Sequence, residues 1–113
     1  MPKLKILSLT CDSTEDYMGS DEIYITVNGQ KVWGPTKMNE SSPELKSKTI
    51  NKEKSFSTRA RIDLYDDDAG WGDDDPDHLG RTYAYAAQSA DGEQYYTFTG
   101  CGARYRMAYL VLP

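Results

Sequence analysis

Hydrophobic and polar residues alternate along most of this chain with a period of two. Residues 21–27 place their three branched apolar side chains on one face, because successive side chains of an extended chain point to opposite faces. Asn28-Gly29 follows and supplies the positive φ angles of a type I′ turn. The pattern therefore predicts a β-hairpin over residues 21–33, ended by Pro35.

The same alternation predicts about eight short strands separated by turn residues. Residues 36–45 have the composition of a loop, and no segment has the apolar stripe of a helix. The predicted strands cover residues 3–11, 21–27, 30–33, 46–54, 59–65, 80–87, 94–99 and 104–112. An all-β fold of this kind, with regularly spaced turns, is typical of an antiparallel β-sandwich.

Two of these strands carry specific expectations. The segment 46–54 is rich in lysine and only weakly apolar, so we expect it at the edge of a sheet, where lysines discourage pairing with other chains. In the first strand, strict alternation predicts two faces, one with Lys5, Leu7, Leu9 and Cys11 and the other with Leu4 and Ile6.

Composition limits the classes of protein to which the chain can belong. Its 113 residues, 38% hydrophobic and 27% charged, predict one globular domain over residues 1–113. The net charge of -5 argues against general nucleic-acid binding, which needs a basic face. Apolar runs are too short for a membrane span, and the amino terminus lacks a signal-peptide pattern. We therefore expect a cytoplasmic protein, or one exported by a non-classical route.

An acidic segment between two predicted strands carries the strongest chemical signal. Acidic runs are commonly solvated loops, but two aspartates two positions apart on an extended chain point the same way, so Asp66 and Asp68 can share an ion. Glycines at 70 and 72 allow the chain to turn back toward Asp77. Calcium prefers oxygen ligands of this type, and the glycine positions do not fit an EF-hand.

The same segment resembles a known calcium loop. Leu64-Tyr65-Asp66-Asp67-Asp68 through Asp77-His78-Leu79-Gly80 is similar to the third calcium loop of C2 domains, in which a strand leads to Asp-x-Asp, a turn, and then Asp-x-x-Gly. The resemblance implies that Asp66, Asp68 and Asp77 are ligands. Because this loop has extra acidic residues at 73–75, the later ligand is ambiguous, and Asp75 is a further candidate.

A second stretch also resembles the C2 family. Residues 19–27, Gly-Ser-Asp-Glu-Ile-Tyr-Ile-Thr-Val, are similar to the family stretch Gly-x-Ser-Asp-Pro-Tyr, with Glu22 in place of proline. This resemblance implies that Asp21 is a ligand, with an acidic partner upstream. Glu15 and Asp16 are both candidates for that partner, and we favour Asp16. The chain begins at the strand before this loop, as in the circularly permuted C2 topology, in which residues 104–112 would supply the remaining strand.

Other residues leave several alternatives open. Trp71 lies between two glycines, where it would either plug the loop or contact a membrane or a sugar, and Tyr17 and Met18 in the first loop are candidates for the same contact. Cys11 and Cys101 could pair or remain buried thiols. His78 is the one histidine, and no nucleophile motif accompanies it, so we do not expect an enzyme.

Together these patterns predict a calcium-binding module that uses loops at one end of the sandwich. Its partner would be an anionic membrane or a protein, and no nucleic acid. Two alternatives remain: a structural or interaction domain that calcium only stabilises, and a calcium-dependent carbohydrate-binding protein.

Overall fold

Two four-stranded antiparallel sheets form the described part of the chain. The computed structural model describes residues 1–15, 19–67 and 75–113. Within them, the first sheet has the order β4-β1-β8-β7 and the second the order β3-β2-β5-β6. The strands are β1 (Lys3–Ser13), β2 (Asp21–Val27), β3 (Gln30–Met38), β4 (Ser47–Ser55), β5 (Arg59–Asp66), β6 (Asp77–Tyr85), β7 (Gln94–Phe98) and β8 (Arg104–Leu112). The predicted all-β antiparallel sandwich is confirmed.

The helical content is small. In the part of the chain that the structure describes, one short helix, α1 (Pro43–Lys46), lies between β3 and β4, and two short 3-10 turns cover Ala86–Ala90 and Gly100–Gly102. Within the described residues, none of these helices has the length and apolar character needed to cross a bilayer.

The core lies between the two sheets and follows the period of two. Alternate residues of β2, β5 and β8 point inward and are buried, and their burial supplies the hydrophobic stabilisation of the fold. These residues are Ile23, Ile25, Val27, Ala60, Ile62, Leu64, Tyr105, Met107, Tyr109 and Val111. The lysine-rich β4 lies at the edge of its sheet, as predicted, and β8 lies between β1 and β7.

The predicted faces of β1 are wrong. Leu4 and Ile6 are buried together with Leu9 and Cys11, on one side of the strand. The pairing of β1 with both of its neighbours shifts register between Ile6 and Ser8. This β-bulge adds one residue around Leu7 and so reverses the alternation for the rest of the strand.

The predicted end of the hairpin at Pro35 is also wrong, although the turn at Asn28 and Gly29 has the expected positive φ angles. β3 continues to Met38, so the predicted loop begins too early. Because β3 is an edge strand, its proline can face away from the ladder without losing a hydrogen bond. Gly34 precedes it with a φ of 86°, and a Cβ there would lie 2.3 Å from the Ile23 carbonyl oxygen.

β6 begins three residues earlier than the sequence pattern predicts. The pattern placed its start at Gly80, but the strand starts at Asp77. Gly80 lies inside the strand with a φ of 148°, and a Cβ at this position would lie 2.9 Å from the Phe98 ring. A register shift between Leu64 and Tyr65 accompanies it. The early start makes Asp77 a strand residue that pairs directly with Asp66.

Candidate metal centre

Three carboxylates from separate parts of the sequence meet at one end of the sandwich. Glu15, Asp66 and Asp77 each offer one carboxylate oxygen, and these oxygens lie within 4.8 Å of one another. Asp66 is buried, and the other two are partly buried. We call these three residues the carboxylate cluster.

The strand ends explain why the cluster forms. Asp66 is the last residue of β5 and pairs with Asp77, the first residue of β6. Glu15 follows the end of β1 in the opposite sheet, on the connection that leads to β2. Thr14 beside it donates its backbone N–H to a carboxylate oxygen of Glu40, at 3.2 Å. The cluster therefore joins the two sheets at the end where both connections leave the strands.

Two hydrogen bonds to Glu22 hold the end of β5 against β2. The Glu22 N–H donates to Oδ1 of Asp66 at 2.9 Å. The Asp67 N–H donates to the Glu22 carbonyl oxygen at 2.7 Å. The backbone of β2 therefore holds both the Asp66 carboxylate and the chain that follows it.

Asp21 lies beside the cluster and is almost completely buried, with 1% of its surface exposed. Its Oδ2 accepts hydrogen bonds from the Glu15 N–H at 2.8 Å and from the Tyr105 hydroxyl at 2.6 Å. Its Oδ1 is buried and has no hydrogen-bond partner among the described residues. A buried acceptor without a partner costs about 1–3 kcal/mol, and more when it is charged, so a cation or a hydrogen-bond donor at this atom would stabilise the fold.

The electrostatics of the cluster lead to the same conclusion. Burial and the hydrogen-bonded carboxyls of Asp66 and Asp77 raise the pKa of Glu15 to about 10. One Glu15 oxygen, Oε2, is buried without a hydrogen-bond partner in the part of the chain that is described. Carboxylates this close cannot all ionise unless a cation compensates their charge. The arrangement therefore holds either a shared proton or a positive ion.

The donors of the site are all oxygens, which is the ligand set of a hard cation. His78, the one histidine, instead contacts Asp63 through Nε2 at 2.8 Å. No disulfide joins the two cysteines: Cys11 is buried in the core and Cys101 is exposed. The buried carboxylates thus fit calcium chemically, and they do not fit a metal that prefers sulfur or nitrogen.

The structure brings together some of the residues that the sequence singled out. Asp66 and Asp77 belong to the carboxylate cluster, and Asp21 lies next to it. Asp75 is exposed and is not one of the three. Asp16, Asp68, Trp71, Tyr17 and Met18 lie outside the described residues. Glu15, the less favoured of the two upstream candidates, is the one seen in the cluster.

One sequence signal identifies the buried acids. Asp21 continues the inward series of β2 that runs through Ile23, and Asp66 continues the inward series of β5 that runs through Leu64. Asp77 precedes the buried Leu79 by two residues. An aspartate that occupies the next inward position of an apolar strand must be buried, which is costly without a charge partner. The loop motifs do not include this signal, and the alternation of residues 104–112 does not distinguish Tyr105, which contacts Asp21, from the other buried residues of that strand.

Comparison with known proteins supports the fold. Eleven chains of solved structures match this one. One of them, described as the structure of a C2 domain, matches with a TM-score of 0.58 and 15% sequence identity over 100% of both chains. No family model and no curated protein matches the sequence. The chain therefore has a C2-like fold, as the two loop segments implied, and the likeness extends to the fold only.

Proposed function

We propose that this chain is a non-catalytic module that binds calcium at the carboxylate cluster. The observation that carries the proposal is Asp21: a carboxylate with 1% exposure keeps one buried oxygen without a partner among the described residues, next to three converging acids. A core position of this kind is costly to keep charged unless a cation binds there. The C2-like fold supports the same function.

The proposed ligands come from both sheets. Glu15 and Asp21 supply oxygens from the β1–β2 connection and the start of β2, and Asp66 and Asp77 supply oxygens from the paired ends of β5 and β6. Calcium accepts six to eight oxygens in irregular geometry, whereas magnesium requires a near-ideal octahedron. Asp16, Asp68 and Asp75 are proposed as further ligands, because the resemblance of the loops to C2 calcium loops implies them.

Thermal unfolding tests whether the native state binds calcium. An ion that binds only the folded chain stabilises it by RT ln(1 + [Ca²⁺]/Kd), which is about 2.7 kcal/mol at one hundred times Kd. We expect the melting temperature to rise between EDTA and millimolar calcium in the wild type, and to rise much less in Asp21→Asn. Equal melting temperatures in EDTA and calcium for the wild type would contradict the proposal.

We further propose that calcium-loaded loops bind an anionic membrane or a protein partner. The support is the C2-like fold together with the position of the acids at the end where the loops leave the sheets. Neutralised carboxylates would no longer repel an anionic surface. Co-sedimentation with phosphatidylserine vesicles should depend on calcium and be lost in Asp66→Asn. Calcium binding without vesicle binding would instead favour a protein partner or a domain that the ion only stabilises.

A further inference from the structure

We propose that the Tyr105 hydroxyl positions Asp21 for the cation, acting from the opposite sheet; this inference rests on the proposed calcium site. Tyr105 lies on β8 and is completely buried. Its hydroxyl donates to Oδ2 of Asp21 at 2.6 Å, across 84 positions of sequence. The contact therefore connects the beginning of β8, an inner strand of the first sheet, to the first residue of β2 in the second sheet.

The buried Tyr105 hydroxyl contacts the Asp21 carboxylate and the Cys11 thiol. Tyr105 pairs with Cys11 on β1, and its neighbours along the inward face of β8 include Met107. A phenylalanine would fill nearly the same space and would not need a partner. A buried tyrosine normally keeps its hydroxyl because the hydroxyl has a hydrogen bond to make, and here the acceptor is Asp21.

The two oxygens of Asp21 have different surroundings. Oδ2 accepts from two donors, the Tyr105 hydroxyl and the Glu15 N–H. These two bonds fix the plane of the carboxylate, because rotation about the terminal side-chain torsion would break both. Oδ1, which lacks a partner in the described residues, then remains available in a single orientation. Outer-shell hydrogen bonds of this kind orient metal ligands, and their loss weakens metal affinity by about 10- to 100-fold.

The Glu15 N–H extends this effect to the carboxylate cluster. Because Asp21 accepts from the backbone of Glu15, an Asp21 that is held in place also fixes the backbone from which the Glu15 carboxylate projects. Without the tyrosine donor, one hydrogen bond would hold Asp21 Oδ2 in place of two. The positions of both Asp21 and Glu15 would then be less tightly fixed. Tyr105 is thus a positioning residue that does not touch the ion.

The test is a double-mutant cycle read by calcium calorimetry. Tyr105→Phe should weaken calcium binding about 10-fold, whereas Tyr109→Phe should leave it unchanged within about twofold, since Tyr109 is also buried on β8 and undergoes the same chemical change. In an Asp21→Asn background, Tyr105→Phe should cause little further loss, because residues that act through each other are not additive. A core role alone would lower the melting temperature in EDTA without changing the calcium Kd.

A donor-exchange pair keeps the inference testable if Tyr105→Phe does not fold. Para-aminophenylalanine at position 105 keeps a neutral donor, and para-fluorophenylalanine fills the space of the oxygen without donating. The first should retain most of the calcium affinity and the second should lose it. Equal affinities in this pair, or in the wild type and Tyr105→Phe, would overturn the inference, whereas a wild type that does not bind calcium would overturn the proposed function.

Discussion

Two aspartates on the same strand, Asp63 and Asp66, are both buried but have opposite surroundings. The Asp63 carboxylate is contacted by Arg61 Nε at 3.0 Å, Arg81 Nε at 2.7 Å and His78 Nε2 at 2.8 Å. Asp66, three residues further along β5, instead shares its site with two other acids of the carboxylate cluster.

The pKa shifts at the two sites have opposite signs. Burial opposes the ionisation of Asp63, but hydrogen bonds from Arg81, His78 and Arg61 outweigh it and lower the pKa of this carboxyl. In the carboxylate cluster, burial and the neighbouring acids both raise the pKa of Glu15. The chain thus supplies positively charged partners for one buried aspartate, Asp63, whereas the other, Asp66, has two acids of the chain as its neighbours.

Strand register accounts for the difference. Asp63 lies on the outer face of β5, directly opposite Arg81 of β6. Asp66 lies on the inner face of β5, directly opposite Asp77 of β6. An odd number of positions separates the two aspartates, so they must face opposite ways, and one face offers arginines while the other offers acids.

The largest expected effect is on calcium binding when Asp66 is neutralised. Asp66→Asn removes a charged ligand from the centre of the cluster, and we expect the calcium Kd to rise about 100-fold, since ligand charge sets affinity over orders of magnitude. Asp67→Asn is the matched control, one residue along the chain. Asp67 contacts β2 through its backbone N–H, which the substitution keeps. Calorimetry should show near-normal binding in the control. Equal losses would mean that the segment acts as a diffuse acidic patch.

Neutralising Glu15 should have the next largest effect on calcium binding. Glu15→Gln keeps the size and backbone of the residue but removes one charge from the cluster, so we expect the calcium Kd to rise about 10-fold. Glu53→Gln, at an exposed position on β4 that pairs with Lys5 near the start of β1, makes the same chemical change at the other end of the strand that leads to Glu15. Asp16→Asn belongs in the same experiment, because the sequence analysis favours Asp16 over Glu15 as the ligand upstream of Asp21. A loss in Asp16→Asn with none in Glu15→Gln would remove Glu15 from the ligand set.

Asp63→Asn should affect stability and leave calcium binding almost unchanged. It removes a buried charge that three side chains contact, so we expect the free energy of unfolding to fall by about 2 kcal/mol in urea titrations. Asp12→Asn tests the role of burial, because Asp12 pairs with Arg106 at 2.6 Å but is partly exposed. Exposed pairs contribute about 0–1 kcal/mol. Equal losses in the two variants would contradict the importance of burial at Asp63.

The smallest expected effect is a pH dependence of the Asp63 contribution. The pKa of Asp63 is lower in the folded chain than the usual value of about 3.9. Its contribution is therefore complete above that usual value and is lost as the pH falls toward the folded pKa. In EDTA, the difference in unfolding free energy between the wild type and Asp63→Asn should shrink as the pH falls below about 4. A difference that grows as the pH falls below about 4 would contradict the predicted sign.

The sequence predicted the sandwich because alternation and turn residues are local signals. Alternation predicted the inward-facing residues of β2 and β5, lysine content predicted the edge strand β4, and Asn28-Gly29 predicted the turn. The bulge near Leu7, the continuation of β3 past Pro35 and the early start of β6 were not, because each depends on register with a neighbouring strand.

Three of the four described acids at the candidate site were predictable for the same reason. Local motifs singled out Asp21, Asp66 and Asp77. Of these, Asp66 and Asp77 form the carboxylate cluster together with Glu15. The choice between Glu15 and its neighbour depends on the path of the chain between the sheets, which no periodicity encodes. The contact of Tyr105 with Asp21 joins strands far apart in sequence, and only the assembled sandwich reveals it.

Calorimetric titration of the wild-type chain with calcium, beside an identical titration with magnesium, tests the central claim most directly. If the inner-face acids need a cation that the chain does not supply, calcium should bind with saturable heat, and magnesium should bind more weakly because it tolerates irregular carboxylate geometry poorly. A titration without calcium binding up to millimolar concentration would contradict the account. Binding that survives unchanged when Asp21 and Asp66 are both replaced by asparagine would contradict it as well.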